Sequence, residues 1–251
     1  LTPVPEILPL ALGVCLAAGL VHGAFGLGFP LVATPMLALG TDVRTAVLLT
    51  LVPNLGVNLW SLVHGGGWRE SVARYWPVAL WMLLGSAVGT LLLVVMDPNP
   101  FRLLLAATMV LYLLSHRLER VDWSRIRRHP AGSGAWAGFI GGVLGGTVNV
   151  GGPVLMIYFL ELRVPPLVLV QAINLCFLLG KGTQAATFAA LGLFDLALFK
   201  ASLPLLIAAL AGLRAGMWIR ERVDAFTYRG WLRGLLWLLC GLLVVQFIRD
   251  L

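Results

Sequence analysis

An all-α polytopic membrane protein, built from two inverted repeats that each contain a broken re-entrant helical hairpin plus three transmembrane helices, is the fold class this sequence predicts. Three observations lead to it. The 251 residues are 59% hydrophobic and 12% charged, with a mean hydropathy of +0.93, whereas ordinary soluble domains carry roughly 25% charged residues. Apolar runs that approach or exceed the ~20 residues needed to cross a hydrocarbon core recur along the whole length, as at Val72–Met96 and Leu196–Trp218. Finally, two glycine-rich interruptions, Gly23–Pro30 and Gly145–Pro153, break such runs at matching places in the two halves. Unwound backbone at membrane depth survives only where it is buried in protein or lines a cavity, so paired breaks point to a binding site.

The elements follow in order from these breaks. The first repeat, residues 1–116, is expected to hold a broken pair at Ile7–His22 and Phe29–Leu39, then spans at Val43–Val63, Val72–Met96 and Phe101–His116. A basic cytoplasmic linker, residues 117–131, leads into the second repeat, residues 132–251. There the broken pair is Gly134–Val148 and Pro153–Leu162, followed by spans at Pro166–Leu191, Leu196–Trp218 and Gly230–Phe247. An offset of 123 positions sets Gly28-Phe29-Pro30 on Gly151-Gly152-Pro153, and one further residue sets Thr50 on Asn174. Leu1-Thr2-Pro3 opens the chain with neither a basic n-region nor a small-residue cleavage site, so no signal peptide is expected.

The net charge of +7 is not the footprint of a nucleic-acid binder, because the arginines lie in short loops between apolar runs. They report topology instead, since Arg and Lys favour the cytoplasmic side of short loops. Placing Arg69, Arg74, Arg163 and the clusters Arg117–Arg128 and Arg214–Arg233 in the cytoplasm leaves only Arg44, Arg102, Lys200 and Arg249 outside, with Lys181 inside a span. Each broken pair must then return to the side on which it began. One hairpin plus three spans makes an odd number of crossings, so the second repeat is inverted and the N-terminus lies outside. Cys15, Cys176 and Cys240 lie in apolar segments without metal-ligand spacing and imply neither disulfides nor a metal site.

The chemistry is expected at the breaks. Pro30 and Pro153 suit the first turn of a helix, and the glycines before them, Gly26, Gly28, Gly151 and Gly152, let a ligand approach backbone closely. The second arm of each hairpin then offers free N–H groups and the positive end of a helix dipole, an anion site that needs few charged side chains. Asn149 lies within the second break. In the following spans, Thr50, Asn54 and Asn58 form one polar face, and Asn174, Lys181 and Gln184 form its counterpart. Lys181, the one formal charge deep in a span, is a functional candidate by default. All eleven carboxylates fall at segment ends or in loops, which leaves His22, titrating near neutrality, as the candidate for proton coupling. No metal and no cofactor is expected.

Several of these residues together carry a family resemblance. The glycine-rich first hairpin, Pro35 seven residues after Gly28, the Gly151-Gly152-Pro153 to Tyr158 pattern and the polar residues after each hairpin resemble the TauE/SafE family, the sulfite exporter or 4-toluene sulfonate uptake permeases. The similarity spans nearly the whole chain. It implies a multi-pass secondary carrier of the bacterial-type inner membrane for sulfite, sulfonates such as sulfoacetate, or related sulfur anions; with the two hairpin tips and the polar faces of the following spans enclosing the substrate, transport is expected to proceed by alternating access. The expected partners are a small anionic substrate and the lipid bilayer, with a proton as a further partner if transport is proton-coupled through His22; no nucleic acid is expected, and a homodimer is one oligomeric state open to the chain. Alternatives are an anion channel or a carrier for a non-sulfur organic anion. An intramembrane enzyme is disfavoured, because no His/Asp or Cys/His constellation converges at membrane depth.

Overall fold

A computed structural model of the chain describes residues 4–118, 124–220, 222 and 225–249. Arg120 of the basic linker and the opening Leu1–Pro3 lie outside them. The described residues form helices and no strands: α1 (Val4–Phe25), α2 (Phe29–Gly40), α3 (Val43–His64), α4 (Trp68–Val95), α5 (Asn99–Leu118), α6 (Ser124–Arg128), α7 (Pro130–Thr147), α8 (Gly152–Glu161), α9 (Pro166–Ala190), α10 (Leu196–Arg220) and α11 (Ala225–Arg249). From Ile7 onward α1, and over their full lengths α3, α4, α9 and α10, are long and apolar enough to cross a membrane. The chain is a polytopic all-α membrane protein.

The pairs α1/α2 and α7/α8 are the expected broken hairpins. At 12 and 10 residues, α2 and α8 span only about 18 and 15 Å at 1.5 Å per residue, too short to cross. Each folds back along its longer arm. A Cβ added at Gly40, the last residue of α2, would lie 3.5 Å from Leu10 near the start of α1. In the second pair the Tyr158 hydroxyl donates to the Pro130 carbonyl at 3.0 Å, joining the end of α8 to the start of α7. The first arm runs further than expected: helix continues through Gly23 to Phe25, so His22 sits within the last turn and does not end it. One glycine disfavours helix by only about 1 kcal/mol, and Gly23 is pressed against the backbone of α10. The chain turns instead at Gly26 and Gly28, whose φ values of 77° and 108° are left-handed and suit glycine.

The longer arm of each hairpin packs on a helix from the other half of the sequence. The most extensive helix contacts are α4 with α7 and α1 with α10, and glycines make both possible. A Cβ at Gly19 or Gly23 would fall 2.1 Å from the Ala209 or Leu213 carbonyl oxygen, and one at Gly212 or Gly216 would fall 2.1 Å from that of Leu16 or Leu20. The α4/α7 seam repeats this arrangement: Gly142 and Gly146 meet the carbonyls of Met82 and Ser86, while Gly85 and Gly89 meet those of Phe139 and Val143, all at 2.0–2.5 Å from the added atom. Such small-residue faces let helix backbones approach within a membrane. Register rises together in both seams, so α1 runs parallel to α10 and α4 parallel to α7. The offset of 123 that superposes the breaks also carries Gly19 and Gly23 onto Gly142 and Gly146.

Charged side chains close the ends of the bundle. Arg44 at the start of α3 donates to the Leu93, Val94 and Met96 carbonyls, at 2.9, 3.0 and 3.0 Å, satisfying orphan acceptors at the end of α4. Arg102 donates to the Thr41 carbonyl at 3.3 Å, so two arginines expected on one side do share one end of the molecule. Asp42 caps α3 by accepting from the Thr45 amide at 3.0 Å and its hydroxyl at 2.6 Å. Asp97 and Asp195 likewise accept amide hydrogen bonds beside the starts of α5 and α10. These carboxylates serve as caps.

Candidate functional site

The starts of α2 and α8 face one cavity. Leu27, Gly28, Pro30 and Leu31 line it from the first hairpin, and Val150, Gly152, Pro153 and Met156 from the second. Ile173 and Phe177 of α9 and Tyr112 of α5 complete the wall. Its volume is about 40 Å³, room for more than a single water. Both helices carry proline in their first turn, and neither has a side-chain hydrogen bond capping its N-terminus. The first amides of a helix have no intrahelical acceptor, and the dipole favours negative charge there.

The two glycines before each proline differ in what they permit. Gly28 is held at φ 108°, and Gly152 has open space: a Cβ added there would meet Phe177 Cζ at 3.5 Å, an ordinary contact. Gly151 does not face such space. Its φ of −96° suits any residue, but an added Cβ would lie 2.0 Å from the Gly141 carbonyl oxygen. Its glycine character is thus fixed by the packing of α8 on α7.

Behind the cavity, Asn149 ties the second break to α2 and α3. Its amide nitrogen donates to Thr34 Oγ1 at 2.7 Å and Thr50 Oγ1 at 3.0 Å, and its Oδ1 accepts from Asn54 Nδ2 at 3.2 Å. Asn54 in turn accepts from Asn58 Nδ2, at Oδ1 (2.6 Å) and at its backbone carbonyl (2.7 Å). All five side chains are buried, and Asn58 Oδ1 has no protein partner. Asn149 occupies φ 66°, a left-handed conformation that asparagine tolerates better than most residues with a Cβ.

Helix α9 holds the carbonyl ends of both breaks. Asn174 Nδ2 donates to the Gly26 carbonyl at 3.2 Å and to that of Val170 at 3.0 Å, leaving its buried Oδ1 without a partner. Two turns on, Lys181 Nζ donates to the Gly145 carbonyl at 2.8 Å and to Gln184 Oε1, while Gln184 Nε2 donates to the Gly146 carbonyl at 2.8 Å. The ammonium thus sits at the C-terminal end of α7, where a helix dipole favours a cation. The fully buried His22 pairs Nε2 with Ser61 Oγ at 3.0 Å, and its Nδ1 is unpartnered.

These ties correspond across the halves. Advancing Gly26 by 123 positions reaches Asn149, and advancing Thr50 by 124 reaches Asn174, so Asn174 to Gly26 matches Asn149 to Thr50. Each break is held by a span of the other half.

Of the residues singled out in the sequence, Gly28 and Gly152 line the cavity. Thr50, Asn54, Asn58 and Asn149 form one network behind it; Gly26, Asn174, Lys181 and Gln184 belong to the α9 ties. Thr34, Tyr112, Met156, Ile173 and Phe177 were not singled out. Thr34 was within reach, one helical turn beyond Pro30, and Phe177 falls between Asn174 and Lys181 on one helix face; the apolar wall residues carry no signal that separates them from ordinary span residues. Among the described residues no group of three His, Cys, Asp or Glu side chains converges.

Neither a curated protein nor a solved structure gives a significant match to this chain. The profile described as sulfite exporter TauE/SafE matches residues 11–245, a stretch that takes in both hairpin turns, both glycine seams and every polar tie at the breaks, and the chain belongs to that family.

Proposed function

We propose that this protein is a secondary transporter of small sulfur-containing anions, sulfite or sulfonates such as sulfoacetate, working by alternating access in the bacterial-type inner membrane with its substrate bound between the two hairpin tips. The family supports a membrane transporter of the sulfite and sulfonate type. One observation carries the site: the N-termini of α2 and α8, both without a side-chain cap, line a single cavity. Two sets of orphan amides and two positive dipole ends converge there on a region otherwise apolar. An oxyanion entering it trades its water shell for fixed donors, and the low polarity of the walls strengthens each contact.

In this reading the two repeats are inverted, which the parallel pairing of α1 with α10 and α4 with α7 and the correspondence of the Asn174–Gly26 tie with the Asn149–Thr50 tie support. Asn54, Asn58, Asn149 and Asn174 position the tips and offer Asn58 Oδ1 and Asn174 Oδ1 to partners that arrive during the cycle. Lys181 and Gln184 hold α7, and the charge of Lys181 adds positive potential to the site. His22, with Nδ1 unpartnered, is the coupling-proton candidate. Purified protein in liposomes should exchange labelled sulfite for unlabelled sulfite in counterflow, with saturation; linear, non-saturating flux without counterflow would mean a channel. A cysteine at Ser124 should react with impermeant maleimide only from the cytoplasmic face, and external labelling would overturn the topology.

A further inference from the structure

We propose a second binding site, for the phosphate headgroup of an anionic glycerophospholipid, in the groove where α4, α6, α7 and the end of α8 meet. This groove of about 830 Å³ is lined by Arg74, Arg127 and Arg163, by Glu161 and by apolar residues that include Trp81. The three arginines come from separate elements, and all three belong to the set that charge bias assigns to the cytoplasmic side. Arg127 is paired with Glu161. That leaves two guanidiniums for a ligand: Arg74, whose one contact among those described is over the Tyr75 ring at 5.6 Å, and Arg163, which has no ion pair among the described residues.

Arg163 is placed with some insistence. Helix α8 ends through bonds from the Arg163 amide to the Leu160 carbonyl and from the Val164 amide to that of Phe159, a closure that puts Arg163 at φ 54°, where glycine is the usual residue. An arginine in that position brings its charge to the groove against its backbone preference.

The order of side chains down α4 selects a lipid over a free anion. Arg74 stands at the rim; Trp81, two turns further into the membrane, is about 10 Å deeper at 1.5 Å per residue and remains 44% exposed. Across the seam the exposed Trp136 of α7 stands at about the same level, and below follow the exposed Leu84, Val88 and Leu91 of α4 and Ile140 of α7. Cation at the headgroup level, tryptophan at the interface and aliphatic side chains beneath them match the three zones of a phospholipid, and basic pockets between helices on the cytoplasmic side are suited to anionic headgroups.

Detergent-purified protein should be titrated with phosphatidylglycerol, phosphatidylcholine of the same acyl chains, and glycerol 3-phosphate, with the thermal unfolding midpoint as readout. The expected result is half-maximal stabilisation at roughly tenfold lower phosphatidylglycerol than phosphatidylcholine, and no shift with glycerol 3-phosphate. The preference should vanish in Arg74→Gln/Arg163→Gln, and also in Ala135→Trp, which fills the groove without altering a charge and serves if the double variant does not fold. Saturating sulfite should leave it unchanged, separating this site from the one at the hairpin tips. Retention of the preference in either variant, or equal stabilisation by glycerol 3-phosphate, would overturn the proposal, the latter identifying a free-anion site.

Discussion

Replacing Gly152 by alanine separates anion binding from folding at the α8 tip. The new methyl meets only the edge of the Phe177 ring, at 3.5 and 3.8 Å, so packing is undisturbed. Alanine is also the better helix former, by about 0.5–1 kcal/mol in a helix interior, and the unfolding midpoint should stay level or rise slightly. The methyl nevertheless projects beside a cavity of about 40 Å³, at the first residue of the helix whose amides are proposed to hold the anion. Loss of one hydrogen bond to a charged group costs about 1.5–3 kcal/mol, a factor of roughly 10 to 140 in affinity. Isothermal titration of purified protein with sulfite, beside counterflow in liposomes, reads that factor directly. Gly151→Ala is the contrasting control: its Cβ would collide with the Gly141 carbonyl at 2.0 Å, so it should lower the unfolding midpoint. Wild-type affinity and flux in a fully folded Gly152→Ala protein would refute the idea that the α8 amides touch substrate.

Asn149→Ala removes three buried hydrogen bonds and leaves a residue with a Cβ at φ 66°, so destabilisation of about 3 kcal/mol is expected at 0.5–1.5 kcal/mol per bond; Asn149→Gly, free of the conformational penalty, should recover about 1 kcal/mol of it in the same denaturant titration. Lys181→Met strands the Gly145 carbonyl and Gln184 Oε1 in the core, which should cost about 1–3 kcal/mol, with Lys181→Arg keeping part of the stability; an anion affinity that falls in Lys181→Met under conditions where it remains folded would support a role for the charge in the site, and an unchanged affinity would restrict Lys181 to holding α7. Burial opposes ionisation of Asp42, but hydrogen bonds from the Thr45 hydroxyl and amide outweigh it and hold the carboxyl below its ordinary range. A depressed folded value means that its capping contribution, about 1 kcal/mol, is present above the unfolded pKa of about 3.9 and is lost as pH falls through the lower folded value, so the difference in unfolding midpoint between wild type and Asp42→Ala should shrink on acidification below about pH 4.

The fold was legible largely because membrane helices advertise themselves: runs such as Pro166–Ala190 must be apolar along nearly their whole length, and proline after glycine marks where helix has to restart. Gly28 and Gly152 could be read as lining residues for that reason. The end of α1 was misread at His22, since a glycine in sequence looks the same whether it unwinds a helix or, like Gly23, admits a neighbouring backbone. Gly151 shows the same ambiguity at the site itself. Lys181 stood out as a buried charge, yet nothing in one dimension announces that its partners are the carbonyls of Gly145 and, through Gln184, Gly146. Pairings of that kind depend on which helices become neighbours: α9 beside α7 for Lys181, and spans of the opposite half for Gly26 and Asn149.

The two glycine seams also bear on how the halves could exist apart. Each half contributes to α1/α10 and α4/α7 one helix with no equally close partner of its own: α1 belongs to residues 1–116 but seats on α10, and α7 belongs to residues 132–251 but seats on α4. A half produced alone would therefore expose a glycine groove shaped for a helix it lacks, while offering a helix shaped for a groove it also lacks. Two such halves are mutually complementary. The polypeptide that joins them works as a tether for an exchanged pair of arms, and halves coexpressed as separate chains hold all the surfaces they need to find each other.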